Sequence, residues 1–142
     1  MRKQNFYLEM VTPFKILFQE TVQHVRVPGI DGYLGILPGH IPLITILKIG
    51  EIKVDLDYGT KYFATSGGLI EVLPHQTRLL LETAEEAAFI DIQRAHTARE
   101  RAKSLLAEKL YEYELEEARI ELLKAENRIR VAEKVGYHEV KS

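Results

Sequence analysis

The first half of the chain alternates apolar and polar residues as a strand does. Residues 52–57, IKVDLD, alternate cleanly, and residues 23–27, QHVRV, do so less strictly. Such a period of two places one face of a strand on a core and the other in water. Turns, including one at Gly67–Gly68, separate further strands predicted at residues 60–65, 69–73 and 78–81. Short strands at this spacing, with no helix-length segment between them, predict an antiparallel β-sandwich.

The second half repeats apolar residues with helical spacing. One seam has alternating steps of three and four residues and consists of Leu115, Ala118, Leu122, Ala125, Ile129 and Ala132. An earlier seam consists of Ala88, Ala95, Ala98, Ala102 and Leu105. The two are out of step by one residue, which rotates the apolar face by about 100°. This predicts a helix–turn–helix hairpin with its turn within residues 107–113, although a single bent helix is an alternative because AEKLYEYE contains no turn-forming residue.

Glycine and proline mark a boundary between these two halves. All five prolines lie at or before Pro74, and residues 84–135 contain neither glycine nor proline but most of the alanines. Glycine and proline punctuate turns, whereas alanine favours helix. We therefore predict an α+β protein with a β-sandwich domain at residues 1–84 and a helical regulatory domain at residues 85–142. Its helices are expected at about 86–107 and 113–135.

Composition excludes several classes of function. The chain of 142 residues contains no cysteine and has a formal net charge of −2. Disulfides, thiolate catalysis and cysteine-based zinc sites are therefore excluded, and no overall positive field favours a nucleic-acid partner. No apolar run is long enough to span a membrane, and the N-terminus does not have the pattern of a secretory signal.

Motifs of independent catalysis are missing as well. The five histidines are scattered, without the spacing of a zinc protease, and no G-x-S-x-G elbow is present. We therefore predict no enzymatic activity of the chain alone, no metal site and no required cofactor.

The charges of the helical half are unevenly distributed. Basic residues outnumber acidic ones near residues 94–109 and 124–134, whereas glutamate dominates between them. A hairpin folded near residue 110 brings the two basic stretches together, where like charges repel. An alanine seam opposes this repulsion weakly, because each buried methyl contributes only about 0.8 kcal/mol. An anion held between the two helices is therefore expected to stabilise the hairpin.

Three segments in order resemble one protein family. They are GYLGILPGHIPL at residues 32–43, SGGLIEVLP at residues 66–74 and AEEAAFIDIQRAHTARERA at residues 84–102. The chain resembles, from about residue 5 to about residue 134, the epsilon subunit of the bacterial F-type ATP synthase. The resemblance implies a ten-stranded sandwich followed by two helices.

The same resemblance implies a role in the central stalk of the rotor. It implies binding to the gamma subunit and the c-ring, at the cytoplasmic face of the plasma membrane, in a complex that uses the proton-motive force. It further implies that the helices extend toward the alpha and beta subunits and inhibit ATP hydrolysis, with membrane association only through the complex. A helical-seam oligomerisation module outside the synthase is the alternative interpretation.

The apolar, turn-rich loop at residues 32–43 matches the region that contacts the c-ring in the family. His40 stands at a matching position, while Tyr33 replaces an acidic residue that is frequent there. Tyr33 offers stacking and a hydroxyl hydrogen bond instead, and Asp31 supplies a nearby charge. A loop packed on its own sandwich remains an alternative for Ile36 and Leu37.

A regulatory ATP site is the second expectation from the resemblance. The segment IDIQRA at residues 90–95 matches a motif through which some bacterial members bind ATP. The matching positions are Glu85, Ile90, Asp91, Arg94, Ala95, Arg101, Lys124 and Arg128. Basic side chains on two helices suit phosphates, although Lys124 stands where binding members often have arginine and lacks its bidentate fork.

The alternative for this segment is a solvated helix with ion pairs such as Asp91 with Arg94. The sequence lacks a phosphate loop and an acidic magnesium cage. Any bound ATP is therefore expected to be a regulatory ligand, without a dedicated magnesium site.

Overall fold

A computed structural model describes residues 4–108 and 111–141, with side chains up to residue 135. The chain divides into two compact units, Met1–Glu86 and Ala87–Ser142. Among the described residues, the first unit contains eight strands and the second contains a short 3₁₀ turn and two helices.

The eight strands of the first unit are β1 Phe6–Val11, β2 Ile16–Val22, β3 His24–Gly29, β4 Gly32–Ile36, β5 Leu43–Leu47, β6 Gly50–Leu56, β7 Gly59–Val72 and β8 Gln76–Glu86. Their order in the sheet is β2-β1-β8-β7-β5-β3-β4, and β6 pairs with both β3 and β7. The predicted β-sandwich is confirmed. One pair departs from the antiparallel pattern: β1 runs parallel to β8, a pairing of strands far apart in the sequence.

The predicted turn at Gly67–Gly68 is wrong, because β7 passes through both glycines without reversing. The first half of β7 pairs with β6 and its second half pairs with β5, so the strand serves both layers of the sandwich. The register with β8 shifts at Gly67 and Gly68, whose φ angles are +120° and +154°. A Cβ at Gly68 would stand 2.1 Å from the Leu80 carbonyl oxygen. The glycines thus form a bulged corner.

This corner also explains the strand count. Two predicted strands, at residues 60–65 and 69–73, are one continuous strand. The described residues therefore form eight strands, whereas the resemblance implied ten. The alternation at residues 52–57 is confirmed, since Ile52, Val54 and Leu56 are buried in the core. Phe18 and Phe63 meet edge to face in the same core, with ring centroids 5.8 Å apart.

The second unit begins with the 3₁₀ turn η1 Ala87–Phe89, followed by α1 Ile92–Leu106 and α2 Glu112–Lys141. The prediction of a first helix from residue 86 is wrong, because β8 continues to Glu86 and the 3₁₀ turn follows. The second helix begins close to its predicted start but continues beyond residue 135 to Lys141.

Helix α2 packs against α1 and η1. Residues 107–111 join the two helices, and so short a connection makes the pair antiparallel. Residues 109 and 110 lie outside the described residues, and with them Lys109, the last residue of the first basic stretch. Two separate helices confirm the predicted hairpin and exclude the single bent helix.

The predicted seams lie largely in buried positions. Ala95 and Ala102 of α1 are buried, as are Ala118, Ala125 and Ala132 of α2. Alanines at this seven-residue spacing let two helices approach closely. The first seam is wrong at both ends, because Ala88 and Leu105 are exposed, whereas Ala87 is buried and Leu106 is half-buried. Ala88 lies in the 3₁₀ turn η1, outside the helix, and Leu105 lies in the last turn of α1, which ends at Leu106.

Candidate functional site

An exposed apolar row crosses five strands on the outer face of one sheet layer. Pairing aligns Ile46 of β5 with Leu69 of β7, Leu69 with Leu80 of β8, Leu80 with Val11 of β1, and Val11 with Ile16 of β2. The exposed fractions are 52% for Ile46, 42% for Leu69, 43% for Leu80 and 59% for Ile16, whereas Val11 is half-buried. We call these five residues the apolar row. A contiguous exposed apolar row of this kind is typical of a protein–protein contact.

A polar row lies directly beside it on the same face. Here Glu71 of β7 pairs with Arg78 of β8, Arg78 with Glu9 of β1, and Glu9 with Gln19 of β2. Arg78 Nε lies 3.2 Å from a carboxylate oxygen of Glu9, and Gln19 Nε2 donates to the other at 2.9 Å. A hydrophobic strip with a charged border resembles the core and rim of an interface.

A groove of about 580 Å³ opens along the apolar row at the glycine corner. Ile46, Leu69 and Leu80 line it, together with Gly67 and Gly68, which bring no side chain into it. The corner therefore leaves room for a partner's side chain at the middle of the row.

Sequence reasoning missed the apolar row. Residues 79–81, LLL, are all apolar, and residues 43–47, LITIL, are apolar except for Thr45; neither segment alternates strictly, which is typical of a strand whose two faces are both covered. Each of these apolar segments gives information about its own strand only. The alignment of five strands into one row depends on their register, which the sequence does not state.

Tyr33, a predicted c-ring contact, lies on β4 against two charged neighbours. Its hydroxyl accepts a hydrogen bond from the Glu51 backbone N–H at 3.2 Å, and the Arg26 guanidinium carbon lies 5.2 Å from its ring centroid. Arg26 Nη2 also donates to Glu51 Oε2 at 2.7 Å. Tyr33 is 52% exposed, so one side of the ring remains at the surface. The residue is therefore held in place by a cation–π contact on a surface that carries a guanidinium.

Asp31 and His40, the other two predicted contacts, lie beyond opposite ends of β4. Asp31 is exposed in the turn between β3 and β4. His40 is half-buried, and its Nδ1 donates to the Ile41 carbonyl oxygen at 2.8 Å. The five residues of β4 lie between them in the sequence, and no hydrogen bond or ion pair joins the two side chains in the part of the chain that the structure describes.

The loop after β4 divides its apolar residues between core and surface. Ile36 is buried in the core, as the alternative of a self-packed loop required. Leu37 and Ile41 are exposed. Of these three residues, Leu37 and Ile41 are therefore available for contact with another protein.

A polar cavity of about 890 Å³ lies beside Leu37 and Pro38 of this loop. Its titratable residues pair with neighbours: His24 Nδ1 lies 3.2 Å from Asp55 Oδ2, and Gln23 Nε2 donates to Asp57 Oδ1 at 2.5 Å. Within residues 4–108 and 111–135, no cluster of three or more histidine or acidic residues could hold a metal ion. Mutual pairing explains these polar groups without a ligand.

Asp91 caps the N-terminus of α1. Its Oδ1 accepts the backbone N–H of Arg94 at 3.0 Å. The same three-residue spacing had suggested a side-chain ion pair with Arg94, but the carboxylate satisfies a free N–H of the first helical turn instead. The side chain of Arg94 is thereby left for another anion.

The basic residues of the predicted ATP site lie on both helices of the hairpin. Arg94 and Arg101 are exposed on α1, seven residues apart and so on one face. Neither guanidinium makes an ion pair with the residues that the structure describes. On α2, Lys124 lies 3.7 Å from Glu121 Oε1, and Arg128 is half-buried.

The remaining predicted ATP-site residues have different environments. Ile90 is buried beside the 3₁₀ turn, and Ala95 is fully buried within the hairpin. Glu85 is half-buried on β8 and belongs to the first unit, whereas the other seven predicted residues belong to the second. The basic residues among them thus lie on two helices that pack on each other, and guanidinium and ammonium groups are donors that suit a phosphate.

Comparison with known sequences gives the family. Residues 5–87 match the ATP synthase delta/epsilon chain beta-sandwich domain, and residues 90–133 match the ATP synthase delta/epsilon chain long alpha-helix domain. The chain belongs to the ATP synthase delta/epsilon family. The junction between the two family domains falls at the 3₁₀ turn, where the two structural units also meet in the sequence.

Relatives within the family are similar over nearly their whole length. The ATP synthase epsilon chain of Desulforamulus reducens is 46% identical over 89% of this chain and 96% of its own. That of Syntrophomonas wolfei is 42% identical over 94% of this chain and 98% of its own. The resemblance seen in the sequence is confirmed.

A solved structure has the same fold at low identity. A chain of the Euglena gracilis mitochondrial ATP synthase, in a structure of its OSCP/F1/c-ring, superposes with a TM-score of 0.77 at 21% identity, over 94% of this chain and 82% of that chain. Among the described residues, neither helix is apolar enough over a sufficient length to cross a membrane.

Proposed function

We propose that this chain is a central-stalk subunit of a proton-driven F-type ATP synthase, joining gamma to the c-ring and restraining ATP hydrolysis through its helices. In this role it is non-catalytic and lies at the cytoplasmic face of the membrane, held there by the complex. Family membership supports the complex. The apolar row is the observation that supports attachment to the rotor, because a permanent stalk contact needs buried apolar surface.

The apolar row suits the gamma subunit as its partner. It lies on a rigid sheet face rather than on a loop, its groove accepts an inserted side chain, and its charged border fixes orientation. The loop residues Leu37 and Ile41, with Asp31, Tyr33 and His40, are then left for the polar loops of the c-ring and the lower part of gamma.

Charge insertion into the apolar row tests attachment to gamma. Leu69→Glu and Leu80→Glu place an unpaired carboxylate in the contact, and each is expected to weaken co-purification with gamma by at least about tenfold. Leu73→Glu is the matched control, since Leu73 is 43% exposed and lies outside the row. Equal capture of all three variants by gamma would place the contact elsewhere.

The absence of cysteine permits a clean test of the c-ring contact. Because the chain contains no cysteine, Tyr33→Cys or His40→Cys introduces its sole thiol. Either variant is expected to form a disulfide with a cysteine placed in the polar loop of a c subunit or at the base of gamma. If neither variant crosslinks within the assembled enzyme, these residues do not face the rotor.

ATP is proposed as a regulatory ligand of the folded hairpin. Binding to one conformation shifts the population toward it by the difference in affinity, so ATP favours the hairpin over helices extended toward the alpha and beta subunits. Titration calorimetry of the isolated chain is expected to give saturable heat that Arg94→Gln and Arg101→Gln each reduce. No heat at millimolar ATP would contradict the proposal.

The helical hairpin argues against the oligomerisation module. The seam that would pair with a second copy is buried within this chain, at residues such as Ala118, Ala125 and Ile129. Light scattering on the purified chain is therefore expected to give a monomer. A stable homodimer without affinity for gamma would favour the alternative.

A further inference from the structure

A carboxylate that does not belong to the predicted ATP-site residues lies beside one of their basic side chains. Glu121 Oε1 lies 3.7 Å from Lys124 Nζ, at the i,i+3 spacing that brings two side chains to one helix face. Lys124 is also the site residue that replaces the arginine frequent in ATP-binding relatives. Its charge is thus already engaged within the chain.

The antiparallel hairpin places Glu121 on the side of the arginines. On α1, Arg94 and Arg101 directly precede the buried Ala95 and Ala102. On α2, Glu121 precedes Leu122 by one residue, and Leu122 belongs to the seam that packs on α1. In an antiparallel pair, positions that directly precede the seam in this way border the same side of it. Glu121 therefore lies on the side from which a phosphate would approach Arg94 and Arg101.

We propose that Glu121 is a built-in competitor for the anion, which lowers the affinity of the hairpin for nucleotide. This inference rests on the proposed ATP site. An incoming phosphate must replace the carboxylate at Lys124 and also remain near its negative charge. An exposed i,i+3 ion pair is weak, so its rupture is the smaller effect, and repulsion between the Glu121 carboxylate and the phosphates is the larger.

Removal of this charge should strengthen nucleotide binding in a way that depends on salt and on phosphate number. Glu121→Gln keeps the size of the side chain and is expected to tighten ATP binding by about three- to tenfold at ~20 mM salt, with a smaller gain at ~300 mM salt. The gain should decrease from ATP to ADP to AMP, because each loss of a phosphate removes negative charge. A purely structural effect on the helix would not follow this order.

Glu116→Gln is the matched control. Glu116 lies 3.5 Å from Arg119 at the same i,i+3 spacing on the same helix, and Arg119 is not among the site residues. The two variants therefore lose the same charge and the same kind of ion pair. Glu116→Gln is expected to leave the affinity for ATP unchanged within a factor of two.

Calorimetric titration of the full chain with ATP, ADP and AMP separates the outcomes. Tighter binding by Glu121→Gln alone, in the order ATP, ADP, AMP, supports the competitor. Unchanged or weaker binding by Glu121→Gln, with saturable binding by the unsubstituted chain, overturns it and leaves the ATP site standing. Equal gains in both variants also overturn it, since they indicate an effect of net charge alone. If neither the unsubstituted chain nor Glu121→Gln binds, the competitor and the ATP site both fail.

Discussion

Thr77 places a hydroxyl inside the hydrocarbon core of the sandwich. The residue is 1% exposed, and its Oγ1 has no hydrogen-bond partner among the described residues. Its neighbours across the strands are Leu8 and Val72, which are also buried. A buried hydroxyl without a partner loses its hydration and gains nothing in return.

Thr77→Val is therefore expected to stabilise the sandwich by about 1 kcal/mol, because valine has the same shape without the hydroxyl. Thermal unfolding measures the change. Thr65→Val is the matched control: Thr65 is equally buried, but its hydroxyl donates to the Thr83 carbonyl at 2.9 Å and accepts from the Gly67 N–H at 3.1 Å. This second variant should be destabilised. A loss of stability in Thr77→Val would mean that the hydroxyl has a partner in solution.

Two substitutions of Asp91 test whether its side chain caps α1. Asp91→Ala removes the cap and is expected to lower the stability of α1 by about 1 kcal/mol, whereas Asp91→Asn retains a capping side chain without its charge. Hydrogen exchange of the α1 amides measures the loss. Faster exchange in the asparagine variant, equal to that of the alanine variant, would contradict a capping role.

At the scale of elements, the hairpin is the weaker part of the fold. Its contact is made mainly by alanines, which bury little area, while the sandwich buries phenylalanine, leucine and isoleucine. Local stability follows buried apolar contact. The amides of α1 are therefore expected to exchange well before those of β7 and β8, and ATP should slow them selectively. Equal exchange rates in both units would contradict a weakly held hairpin.

The elements differ in how far the sequence predicts them. The alternation at residues 52–57 and the seam from Leu115 to Ala132 are local patterns, so the sandwich and the hairpin follow from them. The corner at Gly67–Gly68 does not, because paired glycines serve a turn and a bulge equally well until β6 and β5 are seen on either side.

For the candidate sites, too, the sequence predicts local patterns but not the contacts between distant segments. The basic residues of the proposed ATP site lie within two helices, so their helical spacing can be predicted from the sequence, although the three-residue spacing of Asp91 and Arg94 fits both an ion pair and a cap. The apolar row joins Ile16 to Leu80 and Ile46 across strands that are distant in the sequence. Only strand register, a tertiary property, brings them together.

At the scale of the whole molecule, the two units have separate tasks in the proposed function. The sandwich carries the surface for permanent attachment, and the hairpin carries charges that respond to a ligand. A chain that ends after Glu86 keeps β8 whole, because Glu86 still pairs with Phe63 and Ala84 with Thr65. Such a chain should fold and occupy its place in the complex without the regulatory helices.

The rate of ATP hydrolysis by the assembled synthase is the most direct test of this division. Complexes are prepared with the full chain and with the chain ending at Glu86, and the amount of the chain bound per complex is measured in each. We expect equal occupancy and faster hydrolysis with the shortened chain, because the restraining helices are gone. Equal occupancy with an unchanged rate would contradict a restraining role of the helices.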